Sequence, residues 1–362
     1  MRIAQVIAGP YPAFRGSQVL VAQLVRGLRD RGHHVRVVAY GRWLAERPGF
    51  HPARVPLDVA LLVGLARVVR AQSIDVIHAH NYEAGVAALL TGRVFGVPFV
   101  FHGHSAMAEE MPRYARRPWA SRMMGRVGGL LDRSVPRAAD ACIAVTDDLA
   151  GHLRAAGAGR VETLAPVLAP AEVNGHAPAL PEICGTICYA GNLDAYQNLG
   201  LLLDAFARVR ARAPGARLVL VSHPDARRAA AGLSAGGLPP AVEIVHATSY
   251  EEVSARLAQS QVLVLPRTEA TGYPMKLLNY MAAGKAIVAA AGSAKGLRDG
   301  VSARIVADDD AAGFADAIAG LLADETRRRS LGDGARAALG DATTFAASLD
   351  AVERLYDEVC KR

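Results

Sequence analysis

Val262-Leu-Val-Leu265, followed by Pro266-Arg-Thr-Glu-Ala-Thr-Gly-Tyr-Pro-Met-Lys-Leu-Leu-Asn-Tyr-Met-Ala-Ala-Gly284-Lys-Ala-Ile-Val288, is the stretch that decides the fold. The four apolar residues before Pro266 have the length and branching of a buried strand. A glycine loop then leads through Pro274 into a helical pattern over Met275–Ala283. Proline suits a first helical turn, and Gly284 ends the helix before a second apolar run at Ala286–Ala289. The loop also carries chemistry. Met275, Lys276 and Leu277 offer backbone N–H groups, and Lys276 adds an ammonium; both suit phosphate oxygens. The plainer reading is a proline-capped helix with a chance lysine.

The same alternation extends in both directions. Towards the N-terminus, strands are expected at Ile3–Ala8, Val35–Tyr40, Val76–Ala79, Phe99–His102 and Ala141–Val145. Helical patterns separate them at Gln18–Arg31, Leu57–Ala71, Glu83–Phe95, Trp119–Ala138 and Asp147–Ala156. After an aperiodic Pro/Ala-rich break, Leu164–Pro181, strands are expected again at Thr186–Ala190, Arg217–Val221 and Glu243–His246. Helices are expected at Leu199–Arg212, Tyr250–Ala258, Ala311–Ala323 and Thr326–Leu339, with a last one over Phe345–Val359. Near-continuous Val/Ile runs separated by helices mean parallel sheets covered on both faces. The fold class is therefore α/β, with two consecutive sheets joined by a proline-rich hinge and a cleft facing the C-terminal strand ends, where ligands of open α/β sheets bind.

Size and composition agree. A chain of 362 residues, 51% apolar, is enough for two cores of about 150–180 residues each. The formal charge of +7 favours an anionic partner without choosing among nucleotide, phospholipid surface and nucleic acid. The four cysteines form no Cys-x-x-Cys pair and read as reduced thiols. The start reads as a strand, not a signal peptide. The longest apolar stretch, Val59–Val69, is about half a membrane span and reads as a core helix. A cytoplasmic protein, with peripheral contact at the inner membrane face, is expected.

Other segments offer functional groups. Gly16 stands at the start of the first helix, where close backbone approach and free N–H groups attract anions; a plain strand-to-helix turn is the alternative. No G-x-G-x-x-G pattern supports a nicotinamide or flavin site. Two His-x-His pairs, His78/His80 and His102/His104, follow strands, and residues two apart share a strand face. They line a ligand site, serve as structural histidines, or hold a metal; no acidic or Cys cluster of zinc spacing accompanies them. Asn81, Glu83, Glu109 and Glu110 lie in the loops after those strands. Arg113–Arg137 holds seven arginines against one acid, Asp132, a local charge of 7 − 1 = +6. Trp119, Met123, Met124, Val127 and Leu130 are interleaved with them. Such a helix either lies on an anionic membrane or turns its apolar face into the core. A nucleic-acid role finds no base-stacking pattern. In the second half, Tyr189-Ala-Gly-Asn-Leu-Asp-Ala-Tyr-Gln197 follows a strand and can line a pocket.

Taken in order, these motifs make the chain resemble a GT-B glycosyltransferase of family 4. The resemblance runs through the Gly16 loop, Arg31-Gly-His-His-Val35, Asp75-Val-Ile-His-Ala-His80, Phe101-His-Gly-His-Ser105, Pro136-Arg-Ala-Ala-Asp140, Tyr189-Ala-Gly-Asn-Leu193 and Pro274–Gly284. It implies two Rossmann-like domains, 1–168 for the acceptor and 169–344 for the nucleotide sugar, with 345–362 crossing back to the first. It implies transfer of a hexose-type sugar from a nucleoside diphosphate sugar to a hydroxyl acceptor, lipid-linked or a surface glycan, with retention. No metal or other cofactor is expected. An epimerase on the same fold, a silent nucleotide-sugar binder and a histidine-metal hydrolase are the alternatives.

By the same resemblance, Gly16, Gly191, Asn192, Gln197, Thr268, Gly272, Met275, Leu277, Leu278 and Asn279 line the donor. Lys276, Arg267 and His102 act on the reacting groups. Asn81, Glu83, His104 and Glu109 face the acceptor. The chain departs from the family pattern in two places. An Arg and a Lys five residues apart are replaced by Asn192 and Gln197, and two glutamates eight apart by Thr271 and Asn279, with Glu269 two positions from the first. Lys276 and Arg267 thereby become the phosphate-neutralising candidates.

Overall fold

A computed structural model of the chain describes residues 1–11, 16–40, 54–115, 117–168, 180–223, 238–268, 272–339 and 342–361. Contacts divide it into two units. The first holds Met1–Val167, a short piece ending at Tyr273, and Thr343–Arg362; the second holds Leu168–Ala270 and Pro274–Ala342.

The first unit is a six-stranded parallel sheet in the order β2-β1-β3-β4-β5-β6. Its strands are β1 (Arg2–Pro10), β2 (His34–Tyr40), β3 (Val76–His80), β4 (Phe99–Gly103), β5 (Ala141–Ala144) and β6 (Val161–Thr163). The helices between them are α1 (Gly16–Asp30), α2 (Val55–Gln72), α3 (Tyr82–Phe95), α4 (Met107–Glu110), α5 (Pro118–Ala138) and α6 (Asp147–Ala155). Alternate strand residues face opposite cores, as the pleat requires. Ile77, Ala79, Phe99 and Phe101 join Leu61, Leu65 and Val69 of α2 on one face. Ile3, Ile7, Val76 and Val100 join Val21, Val25 and Leu28 of α1 on the other.

That second face is closed by the last helix of the chain, Ala342–Cys360, through Leu349, Val352, Leu355, Tyr356 and Val359. Arg31 ties it down, donating to Asp350 and Glu353 at 2.6 Å each, while His33 Nε2 lies 2.7 Å from Glu353. Burying five apolar side chains at about 1.5–3 kcal/mol each outweighs these half-exposed ion pairs.

The second unit repeats the design in the order β12-β11-β10-β7-β8-β9. Here β7 is Thr186–Ala190, β8 Arg217–Ser222, β9 Val242–His246, β10 Val262–Leu265, β11 Ala286–Ala290 and β12 Arg304–Val306. Numbered on from α6, its helices are α7 (Leu199–Arg212), α8 (Tyr250–Ala258), α9 (Lys276–Ala283), α10 (Ala311–Ala323) and α11 (Glu325–Ala338); the terminal helix of the first unit, Ala342–Cys360, is α12. The core is built from Ile187, Leu202, Phe206, Leu218, Val264, Val288, Phe314 and Ile318. Side-chain caps set several helix starts: Thr146 accepts from Leu149 N–H, Asp310 from Gly313 N–H and Asp324 from Arg327 N–H.

Three readings change. The Val59–Val69 helix is only half in the core: α2 buries Leu61, Leu65 and Val69, while Val55, Val59 and Val63 are exposed. The arginine-rich run is not one helix, because α5 starts at Pro118 and a short α4 with a 3₁₀ turn precedes it. The apolar residues of α5 divide: Val135 is in the core with Leu131 packed against it, whereas Trp119, Met123, Val127 and Leu130 are 60, 53, 43 and 62% exposed. Arg117, Arg122, Arg126, Arg133 and Arg137 are exposed as well. The other side of α5 is held close by Gly128, where a Cβ would meet the Met107 carbonyl at 2.4 Å. Arg116, most of the expected break (169–179), Glu269 and Thr271 lie outside the described residues.

Candidate functional site

In each unit polar groups collect at the C-terminal ends of the strands. In the second unit the centre is Lys276, the first residue of α9. Its ammonium donates to the Tyr189 hydroxyl at 2.5 Å and to Gln197 Oε1 at 2.7 Å, and lies 4.1 Å from the Tyr189 ring centroid. Gly191 makes this possible: at φ +150° its missing Cβ would fall 2.6 Å from the ammonium. Burial pushes the Lys276 pKa well below its ordinary value, and the Arg267 charge pushes the same way. Arg267 itself lies over the Tyr196 ring at 5.3 Å, and its carbonyl accepts from the Ser293 hydroxyl.

The loop after β7 is tied into this cluster. The Tyr189 hydroxyl donates to the Asn192 carbonyl at 2.6 Å, and Asn192 Nδ2 donates to the Tyr196 hydroxyl at 2.7 Å and to Asp194 at 3.0 Å. Tyr280, on the buried side of α9, accepts from Ala190 N–H at 2.7 Å and fixes the helix to the strand end. One turn along α9 from Lys276, Asn279 Oδ1 accepts from the Tyr250 hydroxyl at 3.2 Å.

Lys276, Gln197, Gly191, Asn192 and Arg267 thus come together as the sequence placed them, and Asn279 stands beside them on the helix. Leu277 and Leu278 are buried, and Met275 is half-buried. The Leu277 N–H is not available to a phosphate, because it closes a turn on the Pro274 carbonyl at 2.7 Å. Thr268 turns its carbonyl against Gly292, where a Cβ would meet that oxygen at 2.3 Å. Gly272 is buried. Tyr189 was not singled out by sequence reasoning, although it is the residue on which Lys276 rests.

In the first unit, β3 and β4 set His80 opposite His102 in register. His78, His80, His102 and His104 form a stack, with ring centroids 4.4 Å apart for His78–His80 and 4.8 Å for His102–His104. His78 Nε2 lies 3.1 Å from His102 Nδ1, and His80 Nδ1 lies 3.2 Å from His104 Nε2. Burial depresses all four pKa values, to about 3 for His78 and about 4 for His104, and well below the ordinary range for His80 and His102. The rings are therefore neutral at physiological pH.

Two residues the sequence reading passed over complete the network. Gln5, the one polar residue inside the apolar run of β1, donates to the Tyr356 hydroxyl at 3.0 Å and puts Oε1 2.8 Å from His80 Nε2. The Tyr356 hydroxyl is 2.5 Å from His78 Nδ1. Ligand nitrogens of His78, His80 and His102 all lie within 4.8 Å of one another, a spacing at which a metal is conceivable. Both ring nitrogens of His78 and of His80 are already engaged in hydrogen bonds, however. Of the ring nitrogens of these three histidines, only His102 Nε2 is buried without a partner among the described residues. Three histidines cannot converge on an ion here without breaking that network.

Of the acceptor-side residues, Asn81 follows β3 at φ 71°, an unusual conformation for a residue with a Cβ, of the kind that gathers at functional sites. The Glu83 carboxyl is raised by burial against the opposing charge of Arg54, whose guanidinium is 3.7 Å away. Glu109 is exposed; its neighbour Glu110 instead accepts from the Ser105 hydroxyl. Asp132, which the sequence offered only as a counter-charge, is buried and accepts from the Met107 and Ala108 N–H groups at 2.9 Å, capping α4. Gly16 opens α1.

Comparison with known proteins fits this layout. The family described as Glycosyltransferase Family 4 matches residues 14–166, and that described as Glycosyl transferases group 1 matches residues 184–324. The phosphatidyl-myo-inositol mannosyltransferase of Mycobacterium leprae is 25% identical over 93% of this chain and 92% of its own. Among solved structures, sucrose-phosphate synthase from Thermosynechococcus elongatus aligns over 99% of this chain and 98% of its own, with TM-score 0.79 and 19% identity. Anabaena HepE in complex with UDP aligns over 98% of this chain and all of its own, with TM-score 0.71 and 16% identity. At those identities the two structures speak for the fold alone. The matches to the two halves, on two six-stranded parallel sheets, place the chain in the family 4, group 1 glycosyltransferases: it is a glycosyltransferase built from two Rossmann-like domains of the GT-B fold.

Proposed function

We propose that the chain transfers a hexose-type sugar from a nucleoside diphosphate sugar to a hydroxyl of a lipid-linked acceptor, with retention at the anomeric carbon and without a metal. The observation that carries this reading is the position of the Lys276 ammonium, 2.7 Å from Gln197 Oε1. Gln197 occupies the place where the family resemblance expects a phosphate-binding lysine. The cation missing from the loop is supplied from α9, against the same side chain.

When the bond from the anomeric carbon to the diphosphate oxygen breaks, negative charge develops on the leaving group. Lys276 and Arg267 are the fixed charges that oppose it, in place of a divalent ion, and preorganised charge of this kind acts on the transition state. The acceptor hydroxyl bonds to the anomeric carbon, and the departing phosphate takes its proton; no side chain is assigned as general base. Asn279 binds the ribose, while His102, His104, Asn81 and Glu83 address sugar and acceptor.

For the acceptor, the exposed stripe of Trp119, Met123, Val127 and Leu130 on α5 is edged by arginines, the composition of a surface that rests on anionic lipid. The name of the mycobacterial relative, a phosphatidyl-myo-inositol mannosyltransferase, fits a lipid acceptor. No described helix is long and apolar enough to cross a membrane, so contact of this kind is peripheral, at the cytoplasmic face.

A panel of nucleotide sugars in thermal-shift assays tests the donor. The correct one at 100 times its Kd adds about 2.7 kcal/mol of stability, and NMR of the product then reports the anomer. An inverted product, or a panel with no stabilising member, defeats the reading.

A further inference from the structure

The buried histidines form two hydrogen-bonded chains that meet at one amide. In the first, Gln5 Nε2 donates to the Tyr356 hydroxyl, which faces His78 Nδ1, and His78 Nε2 faces His102 Nδ1. In the second, Gln5 Oε1 faces His80 Nε2, and His80 Nδ1 faces His104 Nε2. A neutral imidazole has one N–H and one bare nitrogen, so the polarity at Gln5 propagates along both chains.

Tyr356 accepts from Gln5 and gives its own proton to His78 Nδ1. That leaves the His78 hydrogen on Nε2, where it is donated to His102 Nδ1, and the His102 hydrogen must sit on Nε2. In the second chain, the amide oxygen requires the hydrogen on His80 Nε2. His80 Nδ1 is then bare and accepts from His104 Nε2, which leaves His104 Nδ1 bare as well.

We propose that Gln5 and Tyr356 are positioning residues that lock His102 and His104 into coupled tautomers, so that the first unit meets a polyhydroxylated ligand with a donor, His102 Nε2–H, beside an acceptor, His104 Nδ1. Three observations support this. His102 Nε2 is buried without a partner, a donor held in readiness. The His102 and His104 rings are stacked, parallel within 9° and with centroids 4.8 Å apart, so the donor-bearing and acceptor-bearing rings are neighbours. All four rings are held neutral by burial, so neither chain is interrupted by a doubly protonated imidazole. A hydroxyl oxygen accepting from His102 and a second hydroxyl donating to His104 would set the rotation of a sugar or cyclitol ring. The ligand class rests on the transferase reading above; the tautomer lock does not. Reversing the Gln5 amide would invert every step and place all four hydrogens on Nδ1, so the network has two self-consistent states of opposite specificity.

The test is NMR of the full chain with 15N-labelled histidine at pH 7, which needs no substrate. The expected spectrum shows all four rings neutral with the hydrogen on Nε2. Couplings across the N–H···N bonds are expected from His78 Nε2 to His102 Nδ1 and from His104 Nε2 to His80 Nδ1. Tyr356→Phe removes the hydroxyl that feeds the first chain. It leaves His78 Nδ1 only the long 3.4 Å contact from Gln5 Nε2, so the His102 nitrogens should shift towards an average of protonated and bare values, while the His80–His104 pair keeps its polarity. Any of the four rings with its hydrogen on Nδ1, an imidazolium among them, or a His102 signal unmoved in a folded Tyr356→Phe protein overturns the proposal. Zinc added to the wild type that binds and broadens these signals overturns it too. The wild-type spectrum alone decides if the variant does not fold. A negative donor panel with an intact lock would sink the transferase details and leave the lock standing.

Discussion

The two units share one architecture, six parallel strands with helices on both faces, yet they bring different chemistry to the strand ends. The first gathers four histidines, all neutral, in a stack whose hydrogen bonds are used almost entirely within the protein. The second gathers a lysine and an arginine against tyrosine rings and a glutamine, with the charges held after β10 and at the start of α9 and their partners supplied by the end of β7 and the loop after it. Burial acts on both. It turns histidine into a dependable neutral hydrogen-bond partner, because the imidazolium is easily given up. It leaves Lys276 strained as a cation, because the ammonium has been stripped of water and faces a second positive charge. A site of the first kind is suited to reading hydroxyls, and one of the second kind to receiving an anion.

The largest expected effect breaks that contrast at its cationic end. Lys276→Ala should lower kcat by about 10²–10³-fold, the range seen when one transition-state donor is removed, with the circular dichroism spectrum unchanged. A fall in kcat/KM well beyond the loss of nucleoside diphosphate affinity would place the excess in the transition state; near-normal turnover would remove Lys276 from the chemistry. The matching change in the other unit is His102→Ala. It should leave nucleoside diphosphate affinity within about twofold and cost roughly tenfold in kcat/KM, the worth of one hydrogen bond to the ligand at about 1.4 kcal/mol. Equal losses of nucleoside diphosphate affinity in both variants would erase the division of labour.

The arginine-edged apolar stripe of α5 sharpens the comparison from outside the site. Removing Arg122 and Arg126 together should weaken binding to vesicles of anionic phospholipid by about 30-fold, from about 1 kcal/mol per charge near the surface. Binding to neutral vesicles should not change. Loss of binding to both alike, or to neither, would contradict a peripheral electrostatic contact.

The pH dependence of nucleotide diphosphate binding follows from the lowered pKa of Lys276. An arriving anion favours the ammonium and raises that pKa, so binding takes up a proton. Affinity is then full below the free-enzyme pKa and falls as pH rises through it, by up to tenfold per pH unit until the bound-state pKa is reached. Calorimetry in buffers of different ionisation enthalpy measures the uptake directly. Lys276→Met should abolish both the uptake and this pH slope. Release of protons instead would show that the anion meets a different group.

Much of this arrangement was legible in the sequence, and the exceptions have physical reasons. The long strands and helices announced themselves by period, and the His-x-His pairs were placed on one strand face because residues two apart must share it. The short edge strands β6 and β12, three residues each, carry too little pattern to be seen. The exposure of Trp119 and Leu130 was undecidable, because an amphipathic helix has the same spacing whether its apolar face meets a core or a lipid. Gln5 and Tyr356 are 351 positions apart. Each had a weak local signal, a polar residue in an apolar strand and a tyrosine in the last helix. Their meeting depends on how the terminal helix returns to the first sheet. The same holds for Lys276 and Gln197, which are 79 positions apart and joined only by the order of β7 and β10 in the sheet.

The smallest effect concerns that returning helix. Arg31 donates to both Asp350 and Glu353, and the Arg31 and Glu353 side chains are about a quarter exposed while Asp350 is about half exposed. Solvent screens such pairs, so Arg31→Ala should cost about 1 kcal/mol, a fall of about 2–4 °C in Tm for a unit of this size. The loss should shrink in high salt, because the Debye length drops to about 3 Å at 1 M. The terminal helix should stay in place, since Leu349, Val352, Leu355, Tyr356 and Val359 remain buried. For that reason the histidine signals should not move in this variant. Arg31→Ala is therefore the control for Tyr356→Phe. Both loosen the same helix, but only the loss of the tyrosine hydroxyl should reach His102. If Arg31→Ala also disturbs the His102 nitrogens, the tautomers are governed by how the helix sits and not by the chain of hydrogen bonds that starts at Gln5.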